Sequence, residues 1–458
     1  MNNKNLAIVL ILTIAISSLT VIFASIPFGK AQSGTTISST IINSDTTWTK
    51  ANSPYLLTGP VLVNNGVTLK IEPGASVNFG NYYIQVNGTL QARGTDTNKI
   101  TLNGVGGLPG YGAIVIMRNA QNWNEQTGLG TIIENANLDF KSIALSITNT
   151  SPKINKNYIL GSIMVNGYSS WVPNLPEASP VISNNIVSTS GYNLAIQSSG
   201  LSSIINNTIK GGITSTGNGK SIISYNTIEG GGYGIQSSNL DYISDNVIYG
   251  CGTGIRAGSG TFERNIIRNN GNGILLWINA NPIIRNNTIT NNVNGISLPG
   301  YSEGSRINYH NVQVNYNNIY DNSGYNINLY MDGAYPKNDV EATYNWWGTT
   351  DSQAISQKIH DNKNDFNLGK VNFTPFLTEQ NPQAMPDSNA PIPTPSSSTI
   401  PSSSPASTST PLASQTPSPS PTVPELSSLA ILPLFLCMLF IAVILRHRKT
   451  ISQNKPNV

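Results

Sequence analysis

The chain has 458 residues, a formal net charge of +3 and only 10% charged residues, well below the ~25% typical of soluble globular domains. Asparagine is the main polar residue, with 60 copies against 47 for Asp, Glu, Lys and Arg together. So small a net charge does not indicate a polyanionic partner and argues against nucleic-acid binding. The two cysteines, Cys251 and Cys437, cannot form a disulfide framework or a cysteine metal site.

The N-terminus has the pattern of an export signal. Lys4 precedes an apolar stretch over residues 6–24, and small residues then lead to Ala31. This predicts a signal peptide over residues 1–31, cleaved after Ala31. Because the apolar stretch is long, an uncleaved N-terminal anchor is the alternative. Residues 32–52 form an N-terminal segment before the main domain.

A motif recurs through the middle of the chain at intervals of 19 to 22 residues: an asparagine, followed two positions later by an apolar residue. Its members are Asn185, Asn207, Asn226, Asn246, Asn265 and Asn287. A second short apolar strand follows nine residues after most of these asparagines. Such a period predicts an all-β solenoid, a single-stranded right-handed parallel β-helix of roughly 20-residue coils over residues 53–378.

The repeated asparagine invites interpretation as a ligand site, but a structural role fits better. Asparagine tolerates the left-handed conformation at a tight corner, and stacked side-chain amides can form a ladder. We therefore predict a structural asparagine ladder along the coils.

Several stretches resemble one protein family. Residues 66–74, 86–95 and 98–102 are similar to the opening coils of secreted right-handed β-helix proteins, and residues 345–348 with 368–377 resemble their closing unit. This family includes NosD-like proteins and the carbohydrate-binding and sugar-hydrolase β-helices. The resemblance implies the fold and export, and hardly any specific activity.

The closing unit, near residues 345–378, is interpreted as a cap. Trp346 and Trp347 could cover the open end of the solenoid, together with a short helix near 352–361 whose N-cap would be Asp351. Sugar stacking on the two tryptophans is the alternative interpretation.

Three coils are longer than the rest: those from Asn157 to Asn185, from Asn287 to Asn318 and from Asn318 to Asn345. Their extra residues are predicted to follow the second strand, so that they emerge on one side. The two C-terminal insertions carry aromatic and ionisable residues that suit a glycan groove. The candidate ligand-binding residues are Tyr301, Glu303, Tyr309, His310, Tyr330, Asp332, Tyr335 and Asp339. Packing of these loops over the core is the alternative.

No catalytic residue can be assigned. Sugar hydrolysis needs two carboxyl groups about 5 to 9.5 Å apart, and the repeat register stacks no such pair. Asp241 and Asp245 lie within one coil, and Glu263 neighbours Arg264. The scattered histidines His310, His360 and His447 form no metal-ligand set, so neither a metal site nor a cofactor is predicted.

The C-terminal part of the chain is predicted to form a stalk followed by a membrane anchor. Residues 379–424 are rich in Pro, Ser and Thr and are predicted to be a disordered stalk. Residues 425–445 are predicted to form a transmembrane helix, and 446–458 a basic cytoplasmic tail, which places the bulk of the chain outside the cell. Pro424-Glu425-Leu426, the apolar run and the basic end also resemble archaeal C-terminal sorting signals of the Pro-Glu-Phe type.

Together these features predict a membrane-anchored cell-surface protein, without catalytic activity, in adhesion, envelope structure or glycan binding. Its expected partners are a polysaccharide and the membrane, and no oligomeric state can be assigned. The alternatives are an extracellular polysaccharide lyase or glycoside hydrolase, and a NosD-like accessory protein for a metalloenzyme.

Overall fold

The computed structural model describes residues 34–387, except 106, 109, 111, 168–177, 190–193, 218–219, 239, 302–311 and 333–338. The predicted signal peptide (1–31), membrane segment (425–445) and tail (446–458) lie outside these residues. Within the described part of the chain, no helix is long and apolar enough to cross a membrane.

The described residues form 37 short strands in three parallel columns, which we call sheets I, II and III. Sheet I contains β1 (Thr35–Ile37), β4 (Tyr55–Leu57), β7 (Ser76–Asn78), β10 (Ile100–Gly104), the first parts of β13 (Ala136–Thr148) and β15 (Tyr158–Asn166), β17 (Ile186–Ser188), β20 (Thr208–Lys210), β23 (Thr227–Glu229), β26 (Val247–Tyr249), β28 (Ile266–Arg268), β30 (Thr288–Thr290) and β33 (Asn318–Tyr320).

Sheet II contains β2 (Thr40–Ile42), β5 (Val61–Val63), β8 (Ile84–Val86), β11 (Ile114–Ile116), the second parts of β13 and β15, β18 (Leu194–Ser198), β21 (Gly212–Ser215), β24 (Tyr233–Ser237), the first parts of β27 (Thr253–Glu263) and β29 (Asn272–Arg285), β31 (Asn294–Tyr301), β34 (Ile327–Asp332) and β36 (Ile359–His360).

Sheet III contains β3 (Thr46–Trp48), β6 (Thr68–Ile71), β9 (Thr89–Arg93), β12 (Ile132–Glu134), β14 (Lys153–Asn155), β16 (Val181–Ser183), β19 (Ser203–Ile205), β22 (Ile222–Ser224), β25 (Tyr242–Ser244), the second parts of β27 and β29, β32 (Gln313–Asn315), β35 (Val340–Glu341) and β37 (Val371–Asn372). A 3-10 turn covers Lys50–Asn52, and one helix, α1, covers Ser352–Gln357.

Each strand pairs in parallel with its equivalent in the next coil, and the inward residues stack into columns. Ile209 pairs with Ile228, which pairs with Ile248, and all three are at most 1% exposed. Burial of these apolar side chains, most of them isoleucine in the later coils, is the main stabilising contribution along the solenoid. The predicted all-β solenoid of parallel strands is confirmed.

The stack of coils starts earlier than the predicted boundary at residue 53. Thr35 pairs with Tyr55, Thr40 with Val61 and Thr46 with Leu69. The N-terminal segment 32–52 therefore contributes the first coil. Its inward residue Trp48 is 4% exposed and stacks on Tyr55, with ring centres 4.9 Å apart.

The asparagine ladder is present and longer than predicted. The Oδ1 atom of Asn226 accepts hydrogen bonds from the backbone N–H and the Nδ2 of Asn207, both at 2.9 Å. The same bonds link Asn157, Asn185, Asn207, Asn226, Asn246, Asn265, Asn287, Asn317 and Asn345. A buried amide in each coil is thus satisfied by its neighbours.

Two details of this prediction need correction. The ladder position after Asn287 is Asn317 and not Asn318, because Thr288 pairs with Asn318. The ladder asparagines also do not adopt the left-handed conformation themselves. It occurs at the residue just before each, as in Tyr225 (φ 59°) and Arg264 (φ 53°).

A second, shorter ladder was not predicted. Asn270, Asn292 and Asn322 repeat the same hydrogen bonds at the next corner, and the backbone N–H of Cys251 donates to Asn270 Oδ1 at 2.9 Å. Cys251 thus occupies an asparagine position one coil earlier. Burial raises the pKa of its thiol to about 12, so it is an inert packing residue.

The C-terminal end is closed by the expected elements. Trp347 is 3% exposed, and Trp346 is half-buried, with its backbone hydrogen-bonded to Asn317 and Ile319. Asp351 is the N-cap of α1, and its carboxylate accepts from the backbone N–H of Gln353 at 2.8 Å. The helix is shorter than predicted, ending at Gln357.

After the cap, residues 377–387 run back along the corner between sheets III and I, and we call them the strap. Asn381 exchanges hydrogen bonds with Asn318 and also donates to Asn286 and the carbonyl of Tyr316. The backbone N–H of Asp387 donates to Asp245 at 3.1 Å. The start of the predicted disordered stalk, residues 379–387, is therefore ordered on the solenoid, because corner asparagines satisfy its polar groups.

Candidate ligand-binding face

The outward-facing positions of sheet II form a continuous column along the solenoid. They alternate with the buried residues, since successive side chains of a strand point to opposite faces. The column is Gln197, Thr214, Gln236, Arg256, Leu275, Ser297, Asn328 and His360.

Glycines bring the strands of this sheet close together at its first corner. A Cβ on Gly254 would lie 2.6 Å from the carbonyl oxygen of Gly273, and a Cβ on Gly273 would lie 2.5 Å from that of Gly295. No other residue fits at such a distance. The glycines thereby fix the register of the outward residues that follow two or three positions later.

Arg256 lies between two aromatic rings on this face. Its guanidinium carbon is 4.8 Å from the ring centre of Tyr233, on the preceding strand, and 5.1 Å from that of Trp277, on the following strand. Its Nη1 donates to the Tyr233 hydroxyl at 2.7 Å. Stacking of a guanidinium on aromatic faces is favourable by about 0.5–2 kcal/mol per ring, so the three side chains hold one another in place.

Two nitrogen donors in this cluster have no hydrogen-bond partner among the residues that the structure describes. Arg256 Nε and Trp277 Nε1 are both buried, and neither contacts an acceptor. An unsatisfied buried donor costs about 1–3 kcal/mol. Neither atom is open to solvent, so this cost lies within the packing of the cluster itself.

The cluster also lacks a carboxylate, which sets it apart from another cation–aromatic group on the molecule. Arg93 and Lys153 lie 5.6 and 5.4 Å from the ring centre of Trp123. Each has its own acidic partner, Glu134 at 3.2 Å and Glu125 at 2.7 Å. Arg256 has none among the described residues.

The segments that lengthen three coils follow directly after strands of this same sheet. The chain leaves β15, β31 and β34 at Asn166, Tyr301 and Asp332 and enters the segments beyond them. Tyr301 pairs in register with Asp332, and Tyr330 pairs with Pro299. Strands β31 and β34 lie two and three coils beyond Arg256, or about 10–14 Å along the stack.

The other candidate residues are not all brought together. Tyr330 is half-buried on sheet II, whereas the exposed Asp339 precedes sheet III and accepts the backbone N–H of Lys370 at 2.8 Å. The side chains of Tyr301 and Asp332, and the whole of Glu303, Tyr309, His310 and Tyr335, lie outside the described residues.

Sequence reasoning missed Tyr233, Arg256 and Trp277. The residue after each second-strand isoleucine carries the signal: Gln236, Arg256, Leu275 and Ser297 follow Ile235, Ile255, Ile274 and Ile296.

A different cluster lies at the corner where the strap ends. Arg264 pairs with Asp245 and Glu263, both at 2.7 Å, and Arg285 pairs with Glu263 at 2.7 Å. Tyr242 also donates its hydroxyl to Glu263. The Asp245 and Glu263 side chains are 1% and 6% exposed.

The protonation states of this cluster are fixed by its hydrogen bonds. Burial alone would raise the pKa of Glu263, but the bonds from Tyr242, Arg285 and Arg264 outweigh it and lower the pKa. The bonds to Asp245 raise the pKa of Arg264. A carboxylate held ionised by two arginines is a poor proton donor, so the cluster does not have the properties of a general acid site.

Among the residues that the structure describes, no three His, Cys, Asp or Glu side chains are grouped closely enough to hold a metal ion.

Comparison with known proteins gives one family. Residues 143–307 and 211–346 match the family model described as right handed beta helix region. No curated protein matches the chain. A solved structure titled as a mannuronic acid specific polysaccharide family 6 lyase from human gut microbiota is similar over 76% of this chain and 87% of that chain, at 12% identity and a TM-score of 0.25. A superposition with so low a score supports no inference about activity.

Proposed function

The chain belongs to the right-handed β-helix repeat family, and we propose that within it this protein is a non-catalytic, membrane-anchored surface protein whose sheet II binds glycan. One observation carries the proposal: the Arg256 guanidinium is held between Tyr233 and Trp277 on an outward strand face. Aromatic rings offer flat surfaces for sugar rings, and a fixed guanidinium offers directed donors for their oxygens.

The sequence supports a location on the outer surface of the cell. The predicted signal peptide 1–31 and membrane segment 425–445 would hold the β-helix outside the cell. A rigid solenoid that presents a long face suits adhesion to an extended polymer, since successive coils repeat every ~4.8 Å.

Binding without turnover fits the described side chains better than lyase or hydrolase chemistry does. Arg256 forms no ion pair with an acidic side chain among the residues that the structure describes. The buried carboxylates of Asp245 and Glu263 are both engaged by arginines at the opposite corner. A sugar bound at Arg256 would therefore meet donors and rings, and no proton-transfer pair among the described residues.

The test uses the full-length chain in detergent micelles and an immobilised polysaccharide panel. We expect Trp277→Ala to abolish binding, because it removes one of the two rings that position Arg256. Tyr249→Ala is the matched control, since Arg268 stacks on Tyr249 at 5.1 Å on sheet I. The same panel is assayed for reducing ends and unsaturated products.

Two results would overturn the proposal. Equal loss of binding in Trp277→Ala and Tyr249→Ala would show that sheet II has no special role. Steady release of products by the wild-type chain would show that the protein is an enzyme.

A further inference from the structure

We propose that the chain beyond the strap, residues 388–393, docks on the same corner between sheets III and I, with Ile392 packed on Ile186 and Tyr158. These residues follow the part of the chain that the structure describes. The inference assigns an intramolecular docking surface to the corner and does not depend on glycan binding at sheet II.

Two side chains of the corner bind the backbone of the strap. Thr288 donates its hydroxyl to the carbonyl oxygen of Ala384, and the carboxylate of Asp245 accepts the backbone N–H of Asp387. Ala384 itself is fully buried. Because these bonds engage backbone groups, the corner can hold further extended chain of a different sequence.

The strap is extended where it reaches Asp387, and it runs toward the earlier coils. Thr288 and Asp245, which bind residues 384 and 387, belong to coils two steps apart. Two coils span about 10 Å, which is also the length of three residues of extended chain. The strap therefore advances by one coil for every one and a half residues, about 3.2 Å per residue.

The coils that come next repeat a group that holds the strap. Thr208 occupies the register position of Thr288, four coils earlier. Ala390 lies three residues after Asp387, so at the same advance it reaches the coil of Thr208. The carbonyl of Ala390 then meets the Thr208 hydroxyl as the carbonyl of Ala384 meets that of Thr288.

One coil further, the corner carries two exposed apolar side chains. Ile186 pairs in register with Thr208 on one side and with Tyr158 on the other, and Ile186 and Tyr158 are each 43% exposed. Ile392 is the first large apolar residue after the strap and lies five residues beyond Asp387. Five extended residues span about 16 Å, enough to cross the three coils, about 14 Å, to Ile186.

The chain's own segment is the favoured occupant of this surface. Burial of apolar area is favourable by about 25 cal/mol per Å². Residue 387 is already fixed on the corner, so docking of the next residues is intramolecular and its effective concentration is high. The segment would follow the corner between sheets III and I and leave sheet II uncovered.

Disulfide trapping in the full-length chain in micelles tests the contact. Ile186→Cys and Ile392→Cys are combined with Cys437→Ser, and Cys251 does not compete because it is only 4% exposed. The chains are equilibrated in a glutathione redox buffer, and the disulfide yield gives an effective concentration. A disulfide needs Cβ atoms about 3.5–4.5 Å apart, so the yield reports direct contact.

Two control pairs separate docking from simple proximity. Gln197→Cys with Ile392→Cys places the partner on the outward face of sheet II in the same coil as Ile186. Ile186→Cys with Ile400→Cys keeps the surface and moves the other thiol eight residues along the chain. We expect the effective concentration of the test pair to exceed that of each control roughly tenfold or more.

Two results of this trapping would overturn the inference. Equal effective concentrations in the test and control pairs would mean that residues 388–393 do not dock at the corner. Disulfides of the test pair that join two chains, with the single-chain disulfide no more frequent than in the controls, would assign the surface to a second copy.

A second measurement does not require a new disulfide. Ile392→Asp should raise the hydroxyl-radical oxidation rate of Tyr158 about twofold, because the ring loses its apolar contact. Ile400→Asp is the control and should leave the rate unchanged. The same rate for Tyr158 in wild type and Ile392→Asp would contradict the contact even where a disulfide can be trapped.

Discussion

Arg256 and Arg264 are eight residues apart in one coil, yet their surroundings are opposite. Arg264 lies at the corner after sheet III, where Asp245 and Glu263 neutralise it and Tyr242 approaches it at 3.3 Å. Arg256 lies on sheet II between the rings of Tyr233 and Trp277 and has no carboxylate partner among the residues that the structure describes. The charge of Arg264 is therefore balanced within the protein, whereas no described residue balances that of Arg256. We call Arg264, Asp245 and Glu263 the lock, and the proposed binding face lies on sheet II.

The largest effect is expected on breaking the lock. Arg264→Met leaves the buried carboxylates of Asp245 and Glu263 without their common partner, which should lower the free energy of unfolding by about 3 kcal/mol. Urea unfolding followed by circular dichroism measures this change. Arg256→Met is the matched variant and should shift stability by less than about 1 kcal/mol. A larger loss in Arg256→Met than in Arg264→Met would reverse the assignment.

The pH dependence of stability sharpens the same contrast. The folded-state pKa of Glu263 lies below its unfolded value, so its stabilising contribution is present above about pH 4.3 and is lost as the pH falls through the folded pKa. We expect the wild type to lose on the order of 1 kcal/mol more than Glu263→Gln between pH 6 and pH 3. Identical pH profiles for the two proteins would show that Glu263 does not stabilise the corner.

The third prediction concerns the hydrogen bonds that hold the strap on the corner between sheets III and I. Asn381→Ala removes the side-chain bonds to Asn286 and the Tyr316 carbonyl and leaves the backbone bonds to Asn318 in place, so residues 379–387 should lose protection equal to about 1–2 kcal/mol of local opening. Hydrogen–deuterium exchange measures this loss. The exposed Gln380 provides the control variant, Gln380→Ala. Unchanged exchange in Asn381→Ala would mean that these bonds do not hold the strap.

The smallest expected effect is a gain in stability. It concerns Asp241, whose carboxyl group forms no ion pair among the described residues. Burial raises the pKa of Asp241 despite hydrogen bonds from Ser237 and Ser221. The folded state therefore binds the proton more tightly, and stability falls as pH rises from the unfolded pKa through the folded one. Asp241→Asn should stabilise the protein at pH 7 by less than about 1 kcal/mol and leave it unchanged near pH 3. Destabilisation at pH 7, seen as a lower unfolding temperature, would contradict this.

The features that repeat could be predicted from the sequence. Ile209, Ile228 and Ile248 recur at the coil period, so their inward stacking and the solenoid followed directly. The ladder followed for the same reason, but its register slipped at Asn317, because the neighbouring Asn318 offers the same residue type.

The features that occur once could not be predicted. Tyr233, Arg256 and Trp277 come from three different coils, and only the observed register brings them together. The strap was missed because residues 379–387 have too few apolar groups for a core. They are held by hydrogen bonds to corner residues whose positions no local pattern discloses.

Hydroxyl-radical footprinting of the full-length chain, with and without a saturating oligosaccharide from the polysaccharide panel, tests the central claim most directly. Radical oxidation reports the solvent access of individual aromatic side chains. The account predicts protection of Tyr233 and Trp277 on sheet II, with Tyr225 and Tyr242 beside Arg264 unchanged. Protection of Tyr225 and Tyr242, with Trp277 still oxidised at its free rate, would contradict it.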